Sequence, residues 1–322
     1  MKILEMVKEA KTIGITGHVR PDGDCIGASL ALYLYLQKNL PEVRVDVFLD
    51  TPPPFFACLQ GFEAIINDGK SDIKEYDIFF ALDAPQNRLG KAENLFKKAK
   101  TRINIDHHVS NDGDGDINIM QPEAAATCEL LYSLLDFPDE LDADIAKAIY
   151  IGIAHDTGVF RYGSMTPKTF EIIAALMKYD FDFAQILNDT YFERTYVQHQ
   201  ILGRALLESI VFMDGRCIVS CLSRRTLDFY HVGSGDFEGI VNRLLATKGV
   251  ECAIFMYQTR GHEYKVSLRS QGVVDVAEIA GCFGGGGHVR AAGVTMKGTF
   301  HDVVNIISSR IEAQLDSRKN VG

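Results

Sequence analysis

The sequence predicts an α/β protein, in which a parallel sheet with flanking helices is followed by a second, smaller α/β domain. Three observations lead to this prediction. Short apolar runs alternate with helix-length segments in the first half of the chain, as expected for parallel strands joined by helices. Clusters of Asp and His follow several of these segments directly. After about residue 190 the pattern changes to three strand-like segments and a glycine cluster.

The first elements can be assigned in order along the chain. The apolar stretch at 12–16 predicts a short strand, and apolar residues at helical spacing predict a helix over 25–38. Alternation of apolar and polar residues predicts a strand at 43–50. The next segment, 77–82, contains an unbroken apolar run. Such a run is typical of a strand buried on both faces of a sheet.

The next elements continue the alternation of helix and strand. A lysine-rich helix is predicted at 91–100 and a short strand at 102–105. A helix over 122–135 would begin at Pro122, because proline is favoured in the first helical turn. A further helix, rich in Ala and Ile, is predicted at 141–154.

The change of pattern near residue 190 predicts a domain boundary. The segment YFERTYVQHQILGRALLESIVF predicts one long helix that links two domains, and RCIVSCLS, ECAIFMYQT and EYKVSLRS predict strands beyond it. We expect a first domain at 1–188, a helical linker at 189–209 and a second domain at 210–322.

Composition narrows the class of protein. Of 322 residues, 47% are apolar and 24% charged, and the net charge is −10. An acidic chain is not expected to bind duplex nucleic acid broadly or stably. The seven cysteines form no C-x-x-C pair, which favours a reducing, cytoplasmic location. No signal peptide or apolar segment of membrane-spanning length is recognised, so we expect no membrane association.

Four apolar segments of the chain are followed by acidic residues or histidines. These residues are His18, Asp22 and Asp24; Asp83; Asp106, His107 and His108; and His155 and Asp156. The carboxyl ends of parallel strands share one edge, where open α/β sheets bind ligands. Asp and His without Cys suit Mn²⁺ or Mg²⁺ better than a structural zinc. Clustered carboxylates repel one another without cations, so we interpret Asp83 as a metal ligand.

A simpler interpretation exists for each acid taken singly. An Asp that follows a strand can cap the next helix, which would account for Asp24 or Asp83 alone. It does not account for four clusters together. His155 is interpreted as a structural residue, or as one that supports the ligands, rather than as a ligand.

The motifs HVRPDGD, ALDAP, IDHH and HDTGVF, in this order, resemble the four motifs of the DHH phosphoesterase superfamily. FGGGGHVRAAG resembles the signature of its DHH-associated domain, and the resemblance spans roughly 12–295. At this length the chain is similar to the nanoRNase and pAp-phosphatase branch. It also resembles stand-alone bacterial phosphodiesterases that act on cyclic dinucleotides and pApA.

The resemblance implies a role for each residue of the clusters. The residues that match ligands of one metal are His18, Asp22 and Asp83, and those that match ligands of the second are Asp24, Asp83, His107 and Asp156. Asp83 would therefore bridge two divalent cations, with Mn²⁺ preferred and Mg²⁺ as the alternative. The resemblance also places His108 near the scissile phosphate, and Asp106 is expected to orient its neighbours.

The second domain is expected to bind substrate. The candidate residues are Ser267, Arg269, Gly284, Gly285, Gly286, Gly287, His288 and Arg290. Glycines allow close approach of the backbone and present N–H groups to an anion, and arginine binds phosphate in a bidentate manner. The alternative is that the glycines only form a tight turn between a strand and a helix.

Together these features predict a metal-dependent phosphoesterase. The resemblance implies hydrolysis of short oligoribonucleotides such as pApA to mononucleotides, or of 3′-phosphoadenosine 5′-phosphate (pAp) to AMP, by in-line attack of a metal-bridging hydroxide. The alternatives are an enzyme that hydrolyses cyclic di-AMP, pyrophosphate or polyphosphate and, more remotely, a non-catalytic nucleotide-binding protein. The expected partner is short single-stranded RNA or a small nucleotide, and homodimerisation is left open.

Overall fold

The computed structural model describes residues 2–109, 111–136, 141–161 and 164–319. The chain forms two compact units and passes from the first to the second between Glu193 and Arg194. This point lies a few residues beyond the predicted end of the first domain at 188. The segment predicted as a linker at 189–209 belongs mostly to the second unit.

The first unit contains a six-stranded sheet with the strand order β3-β2-β1-β4-β5-β6. The strands are β1 (Thr12–Thr16), β2 (Arg44–Phe48), β3 (Ile65–Ile66), β4 (Ile78–Leu82), β5 (Thr101–Asp106) and β6 (Ile117–Met120). All neighbours pair in parallel, which confirms the predicted sheet type. The strand order reverses direction between β1 and β4, and such a switch point opens a crevice at the carboxyl ends of the strands.

Four of the helices described in the first unit correspond to predicted ones, and the helices at Ile3–Val7, Pro167–Leu176 and Phe183–Leu187 were not predicted. The helices are α1 (Ile3–Val7), α2 (Gly23–Asn39), α3 (Glu93–Lys98), α4 (Thr127–Leu134), α5 (Ala143–Asp156), α6 (Pro167–Leu176) and α7 (Phe183–Leu187). The predicted start of the fourth helix at Pro122 is wrong, because Gln121 and Ala124 close a turn and the helix begins at Thr127. Within the described ranges, no helix combines the length and hydrophobicity needed to cross a lipid bilayer.

Strand β4 lies in the middle of the first core, and all of its residues are buried. Ile78, Phe80 and Leu82 join the cluster formed with α2 and α5. Phe79 and Ala81 face the opposite side, in an aromatic cluster that includes Phe96 of α3. The unbroken apolar run therefore reflects burial on both faces of the sheet, as expected.

The second unit is built on a mixed sheet with the order β11-β12-β10-β9-β8-β7. Its strands are β7 (Ile210–Phe212), β8 (Cys217–Leu222), β9 (Cys252–Arg260), β10 (Glu263–Ser270), β11 (Gly286–His288) and β12 (Ala291–Lys297). Only the β8–β9 pair is parallel. The helices are α8 (Tyr196–Leu207), α9 (Arg224–Tyr230), α10 (Ile240–Leu245), α11 (Val276–Gly281) and α12 (Phe300–Lys319).

The prediction of one long helix near the boundary is wrong. The segment forms a π-helical turn at Asn188–Phe192, then α8, and then the edge strand β7. Helix α8 ends at Leu207 because the following residues pair with β8, and this pairing extends the sheet. Ile201 and Ala205 of α8 pack against the sheet of the second unit.

Candidate metal centre

The predicted clusters converge at the carboxyl edge of the first sheet. His18 follows β1, Asp83 follows β4 and Asp106 ends β5, so these residues lie at or beside the switch point. The start of α2 adds Asp22 and Asp24. The structure thus brings together residues that are far apart in the sequence.

Asp83 is the central residue of this group, and its side chain is 2% exposed. Its Oδ2 lies 3.4 Å from Nε2 of His18. Its Oδ1 lies 3.7 Å from Nε2 of His107 and 3.4 Å from Nδ1 of His108. The two oxygens of one carboxylate therefore face different histidines, an arrangement suited to bridging two cations.

One set of donor atoms lies on the Oδ2 side of Asp83. Nε2 of His18 is 3.6 Å from Oδ2 of Asp22. The other oxygen of Asp22 accepts hydrogen bonds from the backbone N–H groups of Asp24 and Cys25, both at 3.1 Å, and so caps α2. The buried Sγ of Cys25 also lies within 4.8 Å of ligand atoms of His18 and Asp83.

The second set of donor atoms surrounds His107. Its Nε2 lies 3.3 Å from Oδ2 of Asp156 and 4.0 Å from Oδ2 of Asp24. Its Nδ1 contacts the carbonyl oxygen of Ala124 at 3.1 Å. A carbonyl oxygen can only accept, so Nδ1 carries a proton, and Nε2 faces the carboxylates. Burial lowers the pKa of His107, but the charges of Asp24 and Asp156 prevail and raise it.

The environment of His107 fits a metal ligand. Its Nε2 is buried and has no hydrogen-bond partner. A buried nitrogen without a partner is costly, and a cation shared with Asp24 and Asp156 would satisfy it. These residues form a group whose ligand atoms lie within 4.8 Å of one another.

Helix α4 holds Asp24 in place, an interaction that sequence analysis missed. The backbone N–H groups of Thr127 and Cys128 donate to the two oxygens of Asp24 at 2.6 and 2.9 Å. The hydroxyl of Thr127 donates to Oδ1 of Asp83 at 3.1 Å. Because Ala126 at the N-cap has no capping side chain, the carboxylate of Asp24 takes over that role from another part of the chain.

Electrostatics also favour cations at this edge. Burial, followed by the charge of Asp83, raises the pKa of Asp24 to about 7, and the pKa of Asp156 is raised by burial and by Asp24. Burial lowers the pKa of His18, but its hydrogen bonds to Asp22 and Asp83 prevail and raise it to about 10. Without cations the site must hold protons, which metal binding would release.

His108 stands beside this group and is paired with Asp106. Oδ1 of Asp106 accepts hydrogen bonds from the backbone N–H of His108 at 3.0 Å and from its Nδ1 at 2.8 Å. This hydrogen bond is the main cause that raises the pKa of His108 to about 9. Asp106 is fully buried, whereas a quarter of the His108 side chain is exposed.

His155 makes other contacts than those of a ligand. Its Nε2 lies 3.0 Å from the hydroxyl of Thr190. Its ring packs against Gly23 so closely that a Cβ there would lie 2.3 Å from Cγ of the ring. These contacts agree with the structural interpretation made from the sequence.

The strands of the second sheet carry five of the predicted substrate-binding residues, Ser267, Arg269, Gly286, Gly287 and His288. Gly284 and Gly285 precede β11, and Arg290 follows it. Strand β12 lies between β10 and β11. Its Ala291 pairs with Arg269 of β10 and with His288 of β11, and its Gly293 pairs with Ser267 and Gly286 in the same way. Directly paired residues point to the same face. Ser267 and Arg269 alternate with buried neighbours, so this row of polar groups lies on the less buried face of β10.

The four glycines of the cluster fall into two groups, according to the space around each of them. A Cβ at Gly285 would lie 2.4 Å from the carbonyl oxygen of Gly293, and one at Gly287 would lie 2.3 Å from that of Ala291. Those two glycines are required for close packing against β12. Gly284 and Gly286 border open space, and they are the members of the cluster that a ligand could approach.

Arg290 lies beside a different loop. Its Nη2 would be 3.3 Å from a Cβ at Gly272, which has a positive φ of +154°. Its guanidinium therefore packs against the loop that follows β10.

Two buried asparagines, Asn104 and Asn111, also contact this site and were not predicted from the sequence. The available signal was the polar Asn104 between two isoleucines in the strand RINI. Cys25 was likewise not predicted to lie among the donor atoms.

The fold and the site define a protein of the DHH type. The DHH family, N-terminal domain matches residues 12–153, and the DHHA1 domain matches residues 214–315. The bifunctional oligoribonuclease and PAP phosphatase NrnA of Thermus thermophilus is 31% identical over 92% of this chain and 88% of its own length. The chain therefore belongs to the DHH family, and the predicted family is confirmed.

Solved structures support the same assignment. An exopolyphosphatase-related protein from Bacteroides fragilis superimposes with a TM-score of 0.89 at 28% identity, covering 96% of this chain and 94% of that protein. RecJ from Thermus thermophilus, in complex with Mn²⁺, has a TM-score of 0.53 at 15% identity, covering 96% of this chain and 53% of RecJ. The likeness to RecJ concerns the fold alone.

Proposed function

We propose that this protein is a metal-dependent phosphoesterase that cleaves short oligoribonucleotides to mononucleotides and converts pAp to AMP. The observation that carries the proposal is the buried Asp83 carboxylate, whose two oxygens face His18 and His107 separately. Similarity over most of the chain to relatives named oligoribonuclease and PAP phosphatase supports the choice of substrate.

Two divalent cations fit the donor atoms of the site, and Mn²⁺ is the proposed metal. The residues that would hold one cation are His18, Asp22 and Asp83, and those that would hold the other are Asp24, Asp83, His107 and Asp156. Mixed carboxylate and imidazole donors favour Mn²⁺ over Mg²⁺. When bound, the cations supply Lewis-acid stabilisation of phosphoryl charge and activate water for attack on phosphorus.

His108 and Asp106 act on the leaving group in this proposal. In the metal-free protein the hydrogen bond to Asp106 raises the pKa of His108 to about 9, which favours the protonated ring. Asp106 accepts a hydrogen bond from Nδ1 and fixes the ring, so the other ring nitrogen can donate to a phosphoryl or leaving oxygen. Such donation stabilises developing charge and protonates the departing nucleoside oxygen.

The second unit binds the nucleotide in this proposal. Arg269 and His288 supply charge and hydrogen-bond donors to a terminal phosphate from one row of the sheet. Ser267 adds a hydroxyl beside them. Gly284 and Gly286, which border open space, offer backbone N–H groups to the same anion. Arg290 contributes from the loop that follows β11.

The test is a comparison of substrates under one Mn²⁺ condition. We expect the highest kcat/KM for pApA, measurable release of phosphate from pAp, and lower values for cyclic di-AMP and a long single-stranded RNA. Polyphosphate belongs in the panel because the relative from Bacteroides fragilis is described as exopolyphosphatase-related. Preference for polyphosphate, cyclic di-AMP or the long RNA would contradict the proposal, as would full activity in excess EDTA.

A further inference from the structure

We propose that Asn104 is a positioning residue that sets the geometry of Asp83 and of the Asp106–His108 pair at the same time. The inference rests on the proposed function, because it concerns how the same site is held for metal binding and proton donation. Asn104 lies within β5 and is fully buried. It is neither a candidate metal ligand nor a group that would contact substrate.

The first contact of Asn104 is with the turn that carries Asp83. Its Nδ2 donates to the carbonyl oxygens of Ala81 at 3.0 Å and Ala84 at 2.9 Å. These two carbonyls lie on either side of Asp83 in the sequence. The amide group thus uses both of its N–H bonds to clamp the backbone on each side of the bridging carboxylate.

The clamped turn has an unfavourable backbone conformation. Asp83 has a φ of +58°, a left-handed value that costs energy for any residue other than glycine. Such a conformation persists only when its surroundings impose it. Strand β5 imposes it twice, through the Asn104 side chain and through the carbonyl of Ile105, which accepts the N–H of Asp83 at 3.0 Å.

The second contact of Asn104 leads to His108. Oδ1 of Asn104 accepts a hydrogen bond from Nδ2 of Asn111 at 3.0 Å, and the same nitrogen donates to Oδ2 of Asp106 at 2.5 Å. The other oxygen of Asp106 binds the His108 ring. A continuous chain of hydrogen bonds therefore runs from the backbone around Asp83 to the imidazole.

The orientation of the Asn104 amide is fixed by these partners. If the amide were flipped, its oxygen would face two carbonyl oxygens and its nitrogen would face a donor from Asn111. Aspartate has nearly the same shape but offers no N–H group at neutral pH. Asn104→Asp therefore keeps the volume of the side chain and removes both hydrogen bonds to the Asp83 turn.

The structure offers a matched control on the neighbouring strand. Asn118 of β6 pairs in register with Asn104. Its side chain also forms two hydrogen bonds to the backbone, with the N–H and the carbonyl of Gly115, both at 2.8 Å. These bonds are exposed and involve neither the Asp83 turn nor Asp106, so Asn118→Ala tests the loss of similar bonds without the positioning effect.

The experiment measures Mn²⁺ affinity by calorimetry, and kcat and KM for pApA, in Asn104→Asp, Asn104→Ala and Asn118→Ala. We expect the Asn104 variants to bind Mn²⁺ about 10- to 100-fold more weakly and to lose kcat on a similar scale. KM should change much less, because the residues proposed to bind nucleotide are untouched. Asn118→Ala should retain wild-type values.

Asn111→Ala separates the two halves of the proposal. It breaks the chain toward Asp106 and leaves the clamp on the Asp83 turn intact, so we expect kcat to fall while Mn²⁺ affinity stays near that of the wild type. This variant also serves if the Asn104 variants do not fold.

The inference is overturned if folded Asn104 variants keep wild-type Mn²⁺ affinity and kcat and lose only thermal stability. It is also overturned if Asn111→Ala keeps kcat or loses Mn²⁺ affinity as severely as the Asn104 variants. Failure of the proposed function is a different result, in which the wild-type protein itself hydrolyses neither pApA nor pAp. In that case the Mn²⁺ affinities still test whether Asn104 positions Asp83.

Discussion

Replacing Gly23 by alanine would make its methyl group clash with the side chain of His155. The new Cβ would lie 2.3 Å from Cγ, 2.5 Å from Cβ and 2.6 Å from Nδ1 of the His155 side chain. Ordinary contacts between carbon atoms are about 3.5–4.0 Å, so one of the two groups must move by roughly 1 Å. Gly23 separates Asp22 from Asp24, and His155 precedes Asp156. The movement therefore displaces either Asp22 and Asp24 or Asp156, all of which are candidate metal ligands.

The surroundings of His155 prevent an easy escape. Its ring lies 5.2 Å from that of Phe56 and 5.3 Å from that of Tyr191, measured between centroids. Thr190 contacts its Nε2. Overpacking of this kind costs about 1–3 kcal/mol in the free energy of unfolding. We also expect Mn²⁺ affinity to fall by about 10-fold or more, as for other residues that orient metal ligands.

The assay is a double-mutant cycle with Gly23→Ala, His155→Ala and the double variant. Urea unfolding of each EDTA-treated protein gives the free energy of unfolding, and calorimetry gives the Mn²⁺ affinity. His155→Ala removes the contacts with Cγ and Nδ1 and leaves the one with Cβ. The clash is therefore relieved in part, and the double variant should be more stable than the sum of the single effects by about 0.5–3 kcal/mol. Gly203→Ala is the control. Gly203 lies in α8 with no atom near its Cβ position, and alanine there should stabilise the protein by about 0.5–1 kcal/mol. A Gly23→Ala variant as stable as the wild type, or an additive cycle, would refute the reasoning.

Three further predictions concern the chemistry and the binding of nucleotide. Asp106→Asn should lower the pKa of His108 from about 9 in the metal-free protein, because a neutral amide stabilises imidazolium less than a carboxylate does; an unchanged value by NMR titration would contradict this. Arg269→Ala and His288→Ala should weaken binding of pApA and change hydrolysis of bis-p-nitrophenyl phosphate much less, and equal losses on both esters would assign these residues to the chemistry. Exhaustive dialysis against EDTA should abolish hydrolysis, and Mn²⁺ should restore it at least as well as Mg²⁺ does.

The central strands of the first sheet could be predicted because burial on both faces leaves a strong apolar signal. The edge strands β3 and β6 were missed, since their residues are mostly half-buried and carry little such signal. The helix expected at Pro122 begins at Thr127 instead, because a turn occupies the preceding residues. The long helix expected before β8 is interrupted by pairing of β7, which only the assembled sheet can determine.

The site was predictable to the extent that its residues directly follow strands and helices. The convergence of His18, Asp83 and His107 follows from parallel topology alone. The contacts of Asp24 with the start of α4 join residues more than 100 positions apart, and no local pattern indicates them. Asn104 was overlooked for a similar reason, because its role depends on the carbonyls of the adjacent strand.

The most direct test of the account is the number of Mn²⁺ ions bound by the wild-type protein, Asp156→Asn and Asp83→Asn, counted by calorimetry and equilibrium dialysis. If Asp83 bridges two cations, the wild type binds two ions, Asp156→Asn retains one tight site, and Asp83→Asn loses tight binding at both. Hydrolysis by Asp83→Asn should fall by at least about a thousandfold, the scale on which catalytic charge stabilisation is lost. An Asp83→Asn variant that keeps one full tight site, or a tenth of wild-type activity, would contradict the account.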